Sequence, residues 1–153
     1  MGTSSYNRFF SRLACLGLLV GLALSAVAGP TAPSPPKPQD WRAIRGTIAR
    51  QIDAFRRDDA TTAFSYAAPS VRKQFRTPGE FMRMVRAGYR AVYRPRAFRF
   101  LDPFTVSGQV IQPLEVVTQD DAVMVAYYVM EHQPDRTWKI AACALEESAA
   151  RAV

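Results

Sequence analysis

The sequence predicts an α+β domain in which three N-terminal helices pack on an antiparallel sheet of about four strands. Apolar residues recur every three or four positions from Trp41 to Val92, which is the period of amphipathic helices. From Phe98 onward the period changes to two, which is typical of strands. Because helical and strand segments are grouped along the chain and do not alternate, the α+β class is favoured over a parallel α/β fold.

The first helix is amphipathic, and Asp40 is placed to cap it. Asp58 and Asp59 are placed to cap a second, short helix, which Pro69 closes before opening another turn. The run 77–80 is a capping box with proline at the first helical position, and it begins the third helix, which we expect to reach Val92. The apolar face of the first helix is formed by Trp41, Ile44, Ile48, Ile52 and Phe55.

The strands begin after Pro95, where Phe98 and Phe100 alternate with Arg99. Three longer strands follow within 110–118, 122–131 and 138–145, and turn-forming residues separate them. Both faces of the strand within 122–131 are apolar, although a sheet with one solvated face does not need that. Since the helices cover only one face, the other lines a pocket or meets a second subunit in a homodimer. The two sets are Val123, Val125, Tyr127 and Val129, and Met124, Ala126, Tyr128 and Met130.

The N-terminus has the three zones of a secretory signal peptide: basic residues, an apolar run and a small-residue ending. The run from Leu13 to Ala28 is shorter than the roughly 20 residues that span a bilayer, which favours cleavage after Ala28 over a membrane anchor. We therefore expect export to the periplasm or the medium. The expected organisation is a signal peptide (1–28), a Pro-rich spacer (29–39), one domain (40–147) and a flexible tail (148–153).

Cysteine and histidine are too few for a disulfide or an ordinary zinc site. Only Cys143 remains after cleavage, because Cys15 leaves with the signal peptide, and His132 is the one histidine. A lone cysteine in an apolar strand is usually a small buried hydrophobe. We predict no metal and no other cofactor.

Charge divides the chain into a basic and an acidic half. Residues 42–99 hold fourteen basic and four acidic side chains, whereas residues 100–153 hold three basic and eight acidic. Because an exported protein rarely meets nucleic acid, we expect a small ligand or a protein as partner. Membrane contact is expected only through the signal peptide or a basic surface. Mutual attraction of the two halves is the simpler interpretation of this pattern.

Two sets of side chains are candidates for ligand contact. Three tyrosines lie among apolar neighbours in the helical half, and each hydroxyl needs a partner if it is buried. Three arginines recur at helical spacing, and guanidinium groups bind carboxylate or phosphate through paired donors. The alternatives are core tyrosines bonded to backbone and a solvated basic face. The candidates are Tyr66, Tyr89, Tyr93, Arg83, Arg86 and Arg90.

The helical half resembles a known bacterial family, the domain of unknown function 4864. The resemblance lies in Phe-Arg-Arg-Asp-Asp-Ala (55–60), Ala-Phe-Ser-Tyr-Ala-Ala-Pro-Ser (63–70) and Val-Tyr-Arg-Pro (92–95), and it extends over about 45–145. The order of elements, with Trp138-Lys139-Ile140 in the last strand, resembles the nuclear transport factor 2-like fold, a cone with a curved sheet. The resemblance implies this fold and an exported setting, and it supplies no activity and no catalytic residue.

Three functions follow from these observations. The first is non-catalytic binding of a small ligand or a protein. The second is an isomerase- or dehydratase-like enzyme, by analogy with the fold, with Asp102 as base and Tyr66 or Tyr93 as hydrogen-bond donor. The third is a module whose arginine face docks on anionic lipid or cell-wall polymer. Adjacent Asp58 and Asp59 tend to point apart, so we predict no catalytic pair there.

Overall fold

The computed structural model of the protein describes residues 36–151, and the side chains of 36–148. The expected signal peptide and most of the expected spacer lie outside these residues. Within this range no helix is long and apolar enough to cross a membrane. The helices are α1 (Pro38–Arg56), α2 (Ala60–Ser65), α3 (Pro69–Phe75), α4 (Pro78–Gly88) and α5 (Arg90–Tyr93).

Two of the three predicted helix caps are confirmed. The Asp59 carboxylate accepts from the Thr62 N–H at 3.0 Å, and the Thr77 hydroxyl accepts from the Glu80 N–H at 3.2 Å. The prediction for Asp40 was wrong, because the N-cap of α1 is Lys37, three residues earlier, and Asp40 lies in the first turn. There its carboxylate accepts from the backbone N–H of Lys37 at 2.8 Å. Acidic residues stabilise this end of a helix whether or not they are the cap.

The region expected to form the third helix is divided in two. Tyr89 separates α4 from α5 with φ −128° and ψ 39°, outside helical geometry. Gly88, just before the break, is a poor helix former. With α3 counted as well, the described chain has five helical segments where we expected three.

The sheet is antiparallel throughout and has five strands, one more than expected. Its order is β1-β3-β4-β5, and β2 pairs with β3 on the same edge as β1. A tight turn returns β2 to β3 through Ser107 and Gly108, both with positive φ. Paired backbone continues to Arg151, beyond the expected end of the domain at Glu147. The strands are β1 (Ala97–Phe100), β2 (Phe104–Val106), β3 (Gln109–Val117), β4 (Ala122–His132) and β5 (Trp138–Arg151).

The helices cover one face of this sheet, and the larger core cluster lies between the helices and that face. Three isoleucines of α1 are fully buried against Leu114, Ala126 and Tyr128. A smaller cluster joins the end of α1 to α2 and α4 around Phe55. The register therefore assigns the even-numbered residues of β4 to the covered face and its odd-numbered residues to the opposite one.

Candidate functional site

The side of the sheet opposite the helices, which we call the open face, is assembled by cross-strand pairing. Residues paired directly across antiparallel strands point to the same side. The first row across the strands is Phe104, Ile111, Val129 and Ala142. The second row is Pro113, Tyr127 and Ala144. The third row is Arg99, Glu115, Val125 and Glu146.

The open face holds the large apolar side chains that are most exposed in the described chain. Phe104 is 42% exposed and Val106 is 48% exposed. Ile111, Val125 and Val129 retain partial exposure. None of these side chains belongs to either core cluster of the described residues. Neighbouring exposed and partly exposed apolar side chains on one side of a sheet are typical of a contact surface.

The third row carries opposite charges at its two ends. Arg99 donates from Nε and Nη2 to the two carboxylate oxygens of Glu115, at 2.5 and 2.8 Å. This paired contact with Glu115 raises the pKa of Arg99. At the other end, on β5, Glu146 is exposed. The row is therefore positive on the β1 edge and negative on the β5 edge.

The three candidate tyrosines have different surroundings. The Arg50 guanidinium lies 5.9 Å from the centre of the partly exposed Tyr66 ring. Tyr89 packs against both core clusters, and burial, with a smaller effect of Cys143, raises its pKa. Tyr93 donates its hydroxyl hydrogen to the Asp58 carboxylate. No hydrogen bond or ring contact within the described residues joins these three tyrosines.

Asp58 forms ion pairs with Arg86, the middle one of the three candidate arginines, and with Arg94. It lies at the turn after α1 with φ +57°, and its carboxylate accepts from Tyr93, from Arg86 Nη2 at 2.8 Å and from Arg94 Nη2 at 2.5 Å. The Tyr93 hydroxyl, followed by the two arginines, lowers the pKa of Asp58. Arg86 and Arg94 also lie 5.5 and 5.2 Å from the centre of the Tyr93 ring. An internal anion therefore already binds Arg86.

The other two candidate arginines are exposed. Arg83 makes no ion pair with any residue of the described part. The Thr118 hydroxyl and, more weakly, the positive charge of Arg90 lower the pKa of Asp120. Arg90 therefore lies close enough to the turn between β3 and β4 to attract this carboxylate. A ligand role for these arginines and for the candidate tyrosines stays a prediction.

A polar row crosses the covered face, and no sequence pattern singled it out. Gln112 pairs with Tyr128, and Tyr128 pairs with Cys143. Gln112 is fully buried, and it accepts from Arg45 Nε at 3.1 Å and donates to the backbone carbonyls of Leu101 and Pro113, both at 2.8 Å.

The Tyr128 hydroxyl has no hydrogen-bond partner among the described residues, although Tyr128 is only 1% exposed. The same holds for the indole nitrogen of Trp138, a residue that is 8% exposed. Exclusion of water raises the pKa of the Cys143 thiol to about 12, so this neighbour of Tyr128 is a neutral thiol at physiological pH. Alternation identified Tyr128 as a sheet residue, but only the tertiary packing reveals its unpaired hydroxyl.

The groups of the enzyme alternative are not joined in the described structure. Asp102 is exposed between β1 and β2 and makes no hydrogen bond with Tyr66 or Tyr93. His132 is exposed, and its ring lies 4.9 Å from that of Trp138. Within residues 36–151 no three side chains of the metal-ligating types come together.

A family model described as "Domain of unknown function (DUF4864)" matches residues 37–153, which include the whole sheet and all five helices. No curated protein and no solved structure matches the chain.

Proposed function

We infer that this chain, which belongs to the DUF4864 family, is a non-catalytic binding domain that contacts a protein partner through the open face. The observation that carries this proposal is the exposure of Phe104 and Val106 beside the apolar rows of β3 and β4. Burying one large apolar side chain completely contributes about 1.5–3 kcal/mol. Several such side chains on one surface supply a driving force for association.

A protein fits this surface better than a small molecule does. Small-molecule sites are concave and enclose most of the ligand, whereas a sheet face without covering helices has no surrounding walls. The mixture of apolar rows and a charged row also matches the composition of protein interfaces, in which polar residues surround an apolar centre.

The test is photo-crosslinking in cells that produce the protein naturally. Benzoylphenylalanine replaces Tyr127 on the open face or, as the control, Lys73, which is exposed on α3. We expect a light-dependent adduct of discrete mass at position 127 that is absent at position 73 and is lost when Val129→Glu is added. If position 127 gives no adduct while the variant remains folded, the open face is not a protein-binding surface.

A second candidate function is the binding of a small uncharged ligand on the covered face, and the unpaired Tyr128 hydroxyl supports it. A buried hydroxyl without a partner costs about 1–3 kcal/mol, so an occupant that accepts or donates one hydrogen bond would be stabilising. Native mass spectrometry of the protein from its producing cells should then show a bound small molecule. Tyr128→Phe should lose that molecule, and an unliganded mass for both proteins would contradict this candidate.

The nuclear transport factor 2-like fold and export remain proposals, as does docking of the arginine face on anionic polymers. The succession of helices and a five-stranded antiparallel sheet supports the first, and the N-terminal residue pattern supports export. Mass spectrometry of protein recovered outside the cytoplasm should give an N-terminus at Gly29. Docking of the arginine face has less support, because Asp58 already binds Arg86 and Arg94.

A further inference from the structure

We propose that the protein partner on the open face is a second copy of this chain, related to the first by a two-fold axis parallel to the strands. The inference rests on the proposed function, because it assigns the occupant of the same surface. A two-fold axis in this direction turns each row around, so that its β1 or β2 end faces the β5 end of the same row in the other copy.

The charges of the third row are complementary under this rotation. Arg99 on the β1 edge of one copy faces Glu146 on the β5 edge of the other, and the symmetry forms the same contact twice. Glu115, which already holds Arg99, faces the small apolar Val125. The ends of the row therefore attract each other across the two copies.

Side-chain size is also complementary in the first row. Phe104 and Ala142 occupy its two ends, so the rotation places the largest side chain of the row against the smallest. Ile111 and Val129, in the middle of the row, face each other. An exposed aromatic side chain opposite an alanine can fill the space between two sheets without displacing backbone.

The other two-fold axis that brings the open faces together runs across the strands, and it fits less well. It exchanges the first row with the third, so that Glu115 faces Ile111 and Glu146 faces Ala142. Glu146 would then be buried against an apolar group with no cation facing it, which is costly, whereas Glu115 keeps its partner Arg99 and faces an apolar residue in either arrangement. The arrangement with the axis parallel to the strands avoids this cost.

The size of the face is sufficient for a dimer of modest stability. Nine residues of β3 at about 3.3 Å each and four adjacent strands at about 4.8 Å give roughly 600 Å² per copy. Two copies then bury roughly 1,100 Å², close to the lower bound of about 1,000 Å² for specific interfaces. We therefore expect a dimer that dissociates on dilution.

The test compares two charge variants of the full chain, alone and mixed. Each variant is purified from the cells that produce it, and sedimentation measures its monomer–dimer equilibrium. Arg99→Glu places like charges at both contacts of its own dimer, and so does Glu146→Arg. Each variant alone should dissociate about tenfold or more readily than the natural protein, because like charges oppose each other. An equimolar mixture should regain the natural affinity. In the mixed dimer the two substituted side chains face each other with opposite charges at one contact, and the natural Arg99 and Glu146 form the other.

The mixture separates contacts between copies from effects within one copy. The Arg99→Glu chain lacks the Arg99–Glu115 pair in the mixture as well. A dimer affinity that recovers on mixing therefore comes from contacts between the two copies. If Arg99→Glu does not fold, a chain carrying both Phe104→Ala and Ala142→Phe tests the same geometry, and it should dimerise better than either single variant. The two-fold arrangement is overturned if each charge variant alone dimerises with the affinity of the natural protein. It is also overturned if the mixture of the two variants dimerises no more strongly than either variant alone. A natural protein that stays monomeric overturns self-association, and a crosslink from position 127 to another protein would then leave the proposed function standing.

Discussion

Two valines on opposite faces of the sheet provide a direct test of which face is covered. Val116 on β3 is fully buried among the side chains that meet the helices, whereas Val129 on β4 is partly exposed on the open face. Replacing either with alanine removes the same two carbon groups. The substitutions therefore differ only in their surroundings.

The expected magnitudes follow from burial. Two buried methyl or methylene groups contribute about 1.6 kcal/mol by transfer from water. A partly relaxed cavity adds to this, so Val116→Ala should lower the free energy of unfolding by about 2–3 kcal/mol. Val129→Ala should lower it by less, about 1 kcal/mol, in dilute protein, because Val129 is only partly removed from water in the single chain.

Urea unfolding at low protein concentration measures both values, with the slope of the transition as a control for changes in the unfolded state. At high concentration Val129→Ala should lose additional stability if the open face is an interface, because dimerisation stabilises only the folded chain. Equal losses for the two variants in dilute protein would refute the assignment of the faces.

Three further substitutions test the packing, the caps and the Asp58 contacts. Ile48→Ala should lower the free energy of unfolding by about 2–5 kcal/mol, because Ile48 is fully buried; a urea midpoint that barely moves would contradict this. Thr77→Ala should cost about 1 kcal/mol by removing the α4 cap, whereas Thr61→Ala, at an exposed position of α2, is the matched control. The folded pKa of Asp58 lies below 3.8, so its stabilising effect should be present above that pH and disappear as the pH falls through the folded pKa. The urea midpoints of the natural protein and Asp58→Asn should therefore differ at neutral pH and converge in acid, and a constant difference would exclude this role.

Local patterns predicted the helices better than they predicted the sheet. The isoleucines of α1 repeat at helical spacing, and the caps at Asp59 and Thr77 depend only on residues three positions away. In contrast, β2 is only three residues long, too short for alternation to distinguish it from a loop. Both faces of β4 are apolar, so only its pairing with β3 and the position of α1 decide which face is covered.

The contacts of Asp58 with Tyr93, Arg86 and Arg94 show why the candidate arginines were harder to interpret. The spacing of Arg83, Arg86 and Arg90 suggested a shared basic face, but the anion that binds Arg86 and Arg94 comes from a turn 28 and 36 positions away in the sequence. No local pattern links such distant residues. The acidic second half also reaches the basic first half, through Arg96–Asp121 and Arg99–Glu115. The mutual attraction of the two halves is therefore confirmed at these pairs.

The remaining positive charge and the open face lie on different sides of the sheet, which affects how a dimer would behave. Lys73 on α3 and Arg83 on α4 are exposed, and both helices pack against the end of α1, which lies on the covered face. Two copies joined through their open faces would therefore carry these cations on their outer sides, separated by two sheets and two helical layers. That separation exceeds the screening length of about 8 Å at physiological ionic strength, so repulsion between the helical layers would oppose dimerisation only weakly. Added salt should consequently act mainly on the Arg99–Glu146 contacts and weaken the dimer. If the apolar rows alone drove association, added salt would strengthen the dimer or leave its affinity unchanged, and that result would contradict the role of the charged contacts.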